Sequence, residues 1–176
     1  MLDSDMFLIK PIDIYEYMQN YDLIGGKQWR EENGKMITYI APGLAFFNMP
    51  TLPNKHQINF RGDRVDGVLC DVGGHMHFYL QNNPTLKYRL FIAPSLERLS
   101  KDEDVLKSEG FDERAIDLIT NTNPRYGFEF HGDNHFLHYY AGGSNWPGYS
   151  LAFLEEKNQA LNAFIGKNLA HYGSVR

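Results

Sequence analysis

The stretch of sequence that decides the fold, residues 126–149, reads YGFEFHGDNHFLHYYAGGSNWPGY. It contains three of the seven histidines and one of the two tryptophans of the chain. Aromatic and polar residues alternate on both sides of Gly132, Asp133 and Asn134, and this period of two is typical of strands with one buried face. Aspartate and asparagine tolerate left-handed backbone angles, so the sequence predicts a β-hairpin whose two-residue turn is Asp133-Asn134.

Counting outward from this turn predicts the register of the hairpin. The expected pairs are Glu129 with His138, Phe130 with Leu137, and His131 with Phe136. One face then carries the apolar side chains that the core needs, namely Phe128, Phe130, Leu137 and Tyr139. The other face carries Glu129, His131 and His138, and opposed Cβ atoms on such a face lie about 4.5–5.5 Å apart.

Two alternatives would change this arrangement. A turn placed one residue earlier would pair His131 with Asn134, and the polar cluster would disperse. A helix would also align His131, His135 and His138, at positions i, i+4 and i+7. The Gly-Asp-Asn run between them argues against a helix, because all three residue types are poor in helix interiors.

Composition predicts one soluble domain over residues 1–176. Hydrophobic residues make up 43% and charged residues 22%, as in ordinary globular proteins with a real core. The net charge of −5 argues against a nucleic-acid partner, because nucleic-acid-binding domains are usually basic. The single cysteine, Cys70, excludes an internal disulfide and favours a reducing, cytoplasmic location. Neither a bilayer-spanning apolar run nor a signal peptide is recognised, so no membrane association is expected.

A second hairpin is predicted near the start of the chain. Asn33-Gly34 is the preferred pair for a type I′ turn, and Glu32 is expected to oppose Lys35. Residues 41–55 hold three prolines, which favour a loop or a sheet edge. Further strands are predicted over residues 56–60, 65–72, 75–80, 86–93 and 149–153.

Helices are predicted at both ends of the chain and once between the strands. The first begins at Lys10-Pro11 and ends at Gly25-Gly26, and the last spans residues 155–172. A helical pair near residues 100–120 has Ser100 and Asp112 as its caps. Together these elements predict an α+β fold with a mainly antiparallel sheet that forms a curled sheet or a partial barrel.

The sequence lacks the strong motifs for phosphate-binding loops, dinucleotide binding, paired cysteines, zinc proteases and esterases. What remains is a His-x-His pair, His75 and His77, on a predicted strand where both would point the same way. The predicted metal ligands are His75, His77 and His131, and Glu129 and His138 are further candidates. Imidazoles with one carboxylate suit zinc or Fe(II).

This layout is similar in outline to the cupins, in which an H-x-H motif and a later histidine meet inside a β-barrel. A cupin has a glutamate four or five residues after that motif, whereas Gln81 and Asn82 stand here. The helical pair also interrupts the order of the strands. We therefore do not assign the chain to this family.

Catalysis is predicted to depend on Glu129, His131 and His138, with a histidine as general base and the glutamate orienting it. The predicted substrate-binding residues are Tyr79, Tyr140 and Trp146, the last in a glycine-rich loop that would cover a pocket. The alternative is a Glu–His pair that only contributes to stability. Exposed histidines on strands are common, and His-x-His alone is a weak signal.

Two functions fit these observations. One is an enzyme for a small polar molecule, with a divalent metal and hydrolase or non-haem oxygenase chemistry. The other is a non-catalytic acidic binding protein, such as an inhibitor, an immunity-type protein or a phage-encoded antagonist, that binds a protein partner through exposed aromatic residues. The enzyme requires at least three of the five named polar groups to converge within metal or hydrogen-bonding distance inside a cleft. The binding protein predicts that they scatter and that an exposed aromatic patch exists instead. The sequence does not fix the oligomeric state.

Overall fold

The computed structural model of the chain describes residues 1–140 and 149–173 and has an α+β architecture. In chain order its elements are β1 (Met6–Leu8), α1 (Ile14–Met18), β2 (Leu23–Glu32), β3 (Lys35–Phe47), β4 (Asp63–Val65), β5 (Val68–Cys70), α2 (Met76–Asn82), β6 (Tyr88–Phe91), α3 (Glu103–Ser108), α4 (Glu113–Asn121), β7 (Glu129–His131), β8 (Phe136–His138) and α5 (Leu151–Gly173). The described strands form three small sheets, ordered β1-β8-β7, β3-β2-β6 and β4-β5. They do not close into a barrel, and the curled or partial-barrel arrangement stays a prediction.

The chain divides into two compact units. Unit 1 comprises Met1–Met6 and Ile12–Ala93, and unit 2 comprises Phe7–Pro11 and Pro94–Arg176. The single domain expected over residues 1–176 stays a prediction. None of the helices in the described residues combines the length and the apolar composition that crossing a bilayer requires.

The hairpin predicted at Asn33-Gly34 forms in unit 1. Glu32 pairs with Lys35, and both turn residues have the positive φ angles, 53° and 75°, that a type I′ turn requires. β3 then continues to Phe47, into the range 41–55 in which three prolines favoured a loop or a sheet edge. It accommodates Pro42 in a bulge, because Gly26 pairs with Ala41 whereas Gly25 pairs with Ala45.

Gly25 and Gly26 lie inside β2 and do not end a helix, so the predicted first helix is too long. α1 ends at Met18, and its N-cap is Asp13, whose carboxylate accepts from two backbone N–H groups. Gly25 is needed for close packing against β3, since a Cβ there would lie 2.6 Å from Ile40 Cγ2. β6 pairs with β2 in parallel, so unit 1 is not wholly antiparallel.

The strand expected over residues 65–72 is a short hairpin, β4–β5, with Asp66-Gly67 at its turn. Cys70 is buried on β5, and burial raises the pKa of its thiol. The strand expected over residues 56–60 is also wrong, because Lys55–Gln57 form a short 3-10 helix.

Residues 75–80 form helix α2 and its N-cap, and not a strand. Met76 and Tyr79 are buried in the core of unit 1, and Asn83 is buried at the C-cap. These positions are spaced as i, i+3 and i+7, which is the period of a helix with one buried face. His75 and His77 therefore do not share the face of a strand.

The helical pair expected near residues 100–120 is present in unit 2 as α3 and α4. Asp112 caps α4 as predicted, accepting from the backbone N–H groups of Arg114 and Ala115. α3 is capped by Asp102 and not by Ser100. Gly110 separates the two helices with a φ of 83°, which glycine adopts without strain.

The last helix, α5, begins at Leu151, so the strand expected over residues 149–153 is wrong. Ser150 Oγ accepts from the backbone N–H of Phe153, as an N-cap side chain does. α5 buries one stripe of side chains, spaced three and four residues apart: Leu154, Lys157, Leu161, Phe164 and Asn168. Leu169, an apolar residue of the same helix, lies off this stripe and is 69% exposed.

Candidate metal centre

The hairpin of β7 and β8 has the register that the sequence predicts. Glu129 pairs with His138, and the next two pairs follow in step toward the turn. Asp133 and Asn134 have φ angles of 55° and 67°, as the central residues of a type I′ turn do. The hairpin prediction is therefore confirmed in its strands, its turn and its pairing.

Backbone hydrogen bonds hold β7 from both sides. β8 is its partner on one side, and the chain around Pro94–Leu96 lies on the other. Phe130 N donates to Pro94 O, and Leu96 N donates to Phe128 O, each at 2.9 Å. The apolar face of the hairpin packs into the core of unit 2, where Phe128, Phe130, Leu137 and Tyr139 are buried as predicted.

The opposite face brings Glu129, His131 and His138 together. His131 Nε2 lies 3.2 Å and His138 Nδ1 lies 3.0 Å from the same carboxylate oxygen, Glu129 Oε2. The two imidazole rings meet edge to face, with centroids 5.3 Å apart and planes at 85°. Each residue offers one atom that could bind a metal ion, an imidazole nitrogen or a carboxylate oxygen, and these three atoms all lie within 4.8 Å of one another. The convergence predicted for these three residues is thus present in the structure.

This group is largely withdrawn from water. The exposed fractions of the side chains are 25% for Glu129, 9% for His131 and 15% for His138. Burial alone would raise the pKa of Glu129, but the hydrogen bonds and positive charge of the two histidines outweigh it and lower the pKa to about 2. The carboxylate therefore stays ionised at any physiological pH, as a metal ligand must.

The spacing of the donor atoms also suits a shared ion. Two ligands about 2.0–2.2 Å from one zinc ion, at tetrahedral or octahedral angles, lie roughly 3.0–3.5 Å from each other. The two carboxylate–imidazole distances, 3.0 and 3.2 Å, fall in that interval. An ion bound by all three residues would replace the hydrogen bonds between the carboxylate and the two imidazoles.

Three ligands leave at least one coordination position open. Within residues 1–140 and 149–173 the group of three gains no fourth histidine, cysteine or carboxylate. Residues 141–148 and 174–176 contain none of these residue types. Structural zinc sites usually have four protein ligands, whereas catalytic sites have three and keep a position for water or substrate. A group of three protein ligands has the number that catalytic zinc sites use.

His75 and His77 belong to unit 1 and lie at the start of α2. Successive positions i and i+2 of a helix point about 200° apart, so the reason for expecting both on one ion does not hold. His77 Nδ1 is 2.9 Å from the backbone oxygen of Thr38, and the ring of His75 lies edge-on to Phe78. That His75 and His77 bind one metal ion together with His131 stays a prediction, but the strand on which it was based is a helix.

The three predicted substrate-binding residues have different positions. Tyr79 is buried in unit 1, where its hydroxyl donates to Pro53 O at 2.7 Å. Tyr140 is 40% exposed, and its ring lies edge-on to His138 with centroids 5.8 Å apart. Trp146 and the glycine-rich loop around it lie outside the described residues. Tyr140 is therefore the one that the structure shows beside the group of Glu129, His131 and His138.

Sequence reasoning missed Lys157, a fully buried lysine on α5. Its ammonium lies over the ring of Tyr139, 4.2 Å from the centroid, and donates to the backbone oxygen of Tyr140. The signal was present, because Lys157 precedes Leu161 by four residues and Phe164 by seven, on the core-facing stripe of the helix. A lysine at such a position is expected to have partners that compensate its burial.

The low pKa of Glu129 predicts how stability depends on pH. The folded-state pKa, about 2, is below the ordinary value of 4.5, so the carboxylate stabilises the fold above pH 4.5 and loses that contribution as the pH falls toward 2. For a side chain that is one-quarter exposed, we expect about 2–3 kcal/mol after solvent screening. In urea unfolding with a chelator present, the free energy of unfolding of the native protein should exceed that of Glu129→Gln by this amount at pH 6. A difference between the two proteins that stays constant down to pH 2.5 would contradict the low pKa of Glu129.

Comparison of the chain with models of known protein families, with curated proteins and with solved structures finds no match.

Proposed function

We propose that unit 2 carries the centre of a metal-dependent enzyme, in which Glu129, His131 and His138 bind one divalent ion, Zn²⁺ or Fe²⁺. The observation that carries this proposal is the approach of one carboxylate and two imidazoles to within 4.8 Å on one face of the hairpin. Two histidines and one carboxylate are the ligands of both hydrolytic zinc sites and non-haem iron sites.

The bound ion would act as a Lewis acid that polarises a substrate oxygen or activates water. The protein contributes the geometry, because β7 and β8 fix three donors on one face. It also contributes partial burial, which strengthens electrostatic interactions at the site. Tyr140 is the proposed contact for a small polar substrate, since it is partly exposed beside His138. The metal identity separates the two chemistries, because zinc favours hydrolysis and iron favours oxygen activation.

The convergence of three of the five named polar groups favours this proposal over a non-catalytic binding protein, for which they were expected to scatter. The metal-free alternative keeps the same residues. In it, Glu129 orients His138 or His131 as a general base, or the three side chains only stabilise the hairpin. A measurement of metal binding separates these alternatives from the metal enzyme.

The deciding experiment is the metal content of tag-free protein, measured by plasma mass spectrometry, followed by chelation and titration with Zn²⁺ and Co²⁺. We expect close to one equivalent of zinc or iron, and a Kd for Zn²⁺ below about 1 μM, which corresponds to about −8 kcal/mol. Protein that is purified without metal and takes up neither ion at micromolar concentration would refute the metal enzyme. The metal-free acid–base hypothesis would then remain to be tested by activity.

A further inference from the structure

Lys157 is the only lysine among the described residues that is fully buried in the structure. Three aromatic rings surround its ammonium, with centroids 4.2 Å away for Tyr139 and 5.7 Å away for both Phe128 and Tyr149. Aromatic faces attract cations, and the attraction is stronger where water is excluded. The ammonium also donates to the backbone oxygen of Tyr140. Lys157 therefore connects α5 to the chain that leaves β8.

Asn158, the next residue of α5, makes a second connection to the same segment. Its Oδ1 accepts from the hydroxyl of Tyr139 at 2.6 Å. Lys157 thus holds Tyr140 by its backbone oxygen, and Asn158 holds Tyr139 by its side-chain hydroxyl. We call Lys157 and Asn158 the α5 clamp.

The clamped segment directly follows a proposed metal ligand. His138 is the last residue of β8, and the ladder with β7 ends at its pair with Glu129. Tyr140 lies edge-on to the His138 imidazole, with ring planes at 74°. The position of Tyr140 therefore limits the orientation of this imidazole, and hence of its nitrogen.

We propose that Lys157 and Asn158 are positioning residues for the metal centre, which act through Tyr139 and Tyr140 to orient the donor nitrogen of His138. This inference rests on the proposed function and adds a residue set that does not touch the ion. Groups that orient metal ligands through other groups typically change metal affinity by about 10–100-fold when they are removed.

Replacement of Lys157 by methionine removes the charge and the hydrogen-bond donor while keeping an unbranched side chain. In the chelated and Co²⁺-reloaded full chain, we expect Lys157→Met to weaken metal binding by about 10–100-fold. We also expect it to change the visible spectrum of the bound cobalt. The matched control is Lys167→Met on the same helix, because Lys167 is exposed and pairs with Asp117. This control should keep the affinity and the spectrum of the native protein.

The cobalt spectrum separates positioning from a loss of stability. A variant that is only less stable would bind cobalt with the native spectrum once folded. Native affinity and spectrum in folded Lys157→Met would overturn the inference while leaving the proposed function intact. Native protein that binds no metal would overturn both.

A milder variant decides the question if Lys157→Met does not fold. Asn158 is exposed, so Asn158→Ala is expected to fold and to remove the acceptor for the Tyr139 hydroxyl. We expect a several-fold loss of cobalt affinity in Asn158→Ala and its recovery in Asn158→Asp, which retains an acceptor oxygen. Equal affinity in both variants and in the native protein would overturn the inference.

Discussion

Replacement of His131 by alanine is expected to lower the affinity for Zn²⁺ by at least about 1000-fold, or roughly 4 kcal/mol. His131 is the most buried of the three proposed ligands, and its removal leaves one imidazole and one carboxylate. A two-ligand site loses the multidentate advantage and has to bind the ion mostly with water. The measurement is a competitive titration of chelator-treated protein against a chromophoric zinc chelator.

His135→Ala is the matched control for this substitution. His135 lies in the turn of the same hairpin, where its Nδ1 is 3.2 Å from the backbone oxygen of Lys10, and it is not a member of the ligand group. The same chemical change there should leave zinc affinity within about threefold of native. If His131→Ala and His135→Ala bind zinc equally well, the hairpin face is not the metal centre, and surface histidines account for any binding.

Phe130→Ala is expected to have the largest effect on stability, about 3–5 kcal/mol. Phe130 is 1% exposed and lies edge-on to Phe111, with ring centroids 5.0 Å apart. Its truncation removes buried apolar surface and leaves a cavity that the surrounding helices and strands fill only in part. Because Phe130 stands between Glu129 and His131 on β7, loosening this strand should also weaken metal binding.

Leu169→Ala provides the comparison for Phe130→Ala in urea unfolding followed by circular dichroism. Leu169 is an apolar residue in the same unit, but it is 69% exposed on α5. Its truncation should change the free energy of unfolding by less than about 0.5 kcal/mol. Similar losses in the free energy of unfolding for the two variants would mean that the apolar face of the hairpin does not pack into the core of unit 2.

The convergence of Glu129, His131 and His138 could be predicted from the sequence, because the residues that determine it lie close together in the chain. The turn at Asp133-Asn134 fixes the pairing, and the pairing alone decides that Glu129 faces His138. His131 joins them because it lies two residues from Glu129 on the same strand. No long-range contact has to be known, so the alternation and one turn were sufficient.

The start of α2 shows why other parts could not be predicted. Met76, Phe78 and Leu80 alternate with polar residues as in a strand, but Met76 and Tyr79 also fit a helix, and a run this short does not distinguish the two periods. Packing decides between them, since both residues join a core cluster with Leu23 and Ile40 of the neighbouring strands. The turn at Asp66-Gly67 could have been predicted from the sequence, because Asp-Gly is a preferred pair for a hairpin turn.

The burial of Lys157 also depends on tertiary contacts. The helical period places it on the core-facing stripe, but the rings that compensate its charge come from residues 128, 139 and 149. The folded hairpin brings the rings of Phe128 and Tyr139 next to α5, and Tyr149 lies just before the helix. A sequence pattern can therefore indicate an unusual lysine and cannot identify its partners.

The same lysine has a consequence for how α5 docks. A helix with a purely apolar stripe can slide along its axis by one turn, about 5.4 Å, and still bury leucines. In this unit such a slide would bring Leu154 or Leu161 over the Tyr139 ring and would move the ammonium of Lys157 away from the Tyr140 oxygen. Moving a buried ammonium out of its native contacts costs free energy, so the contacts of Lys157 favour the observed axial position of the helix.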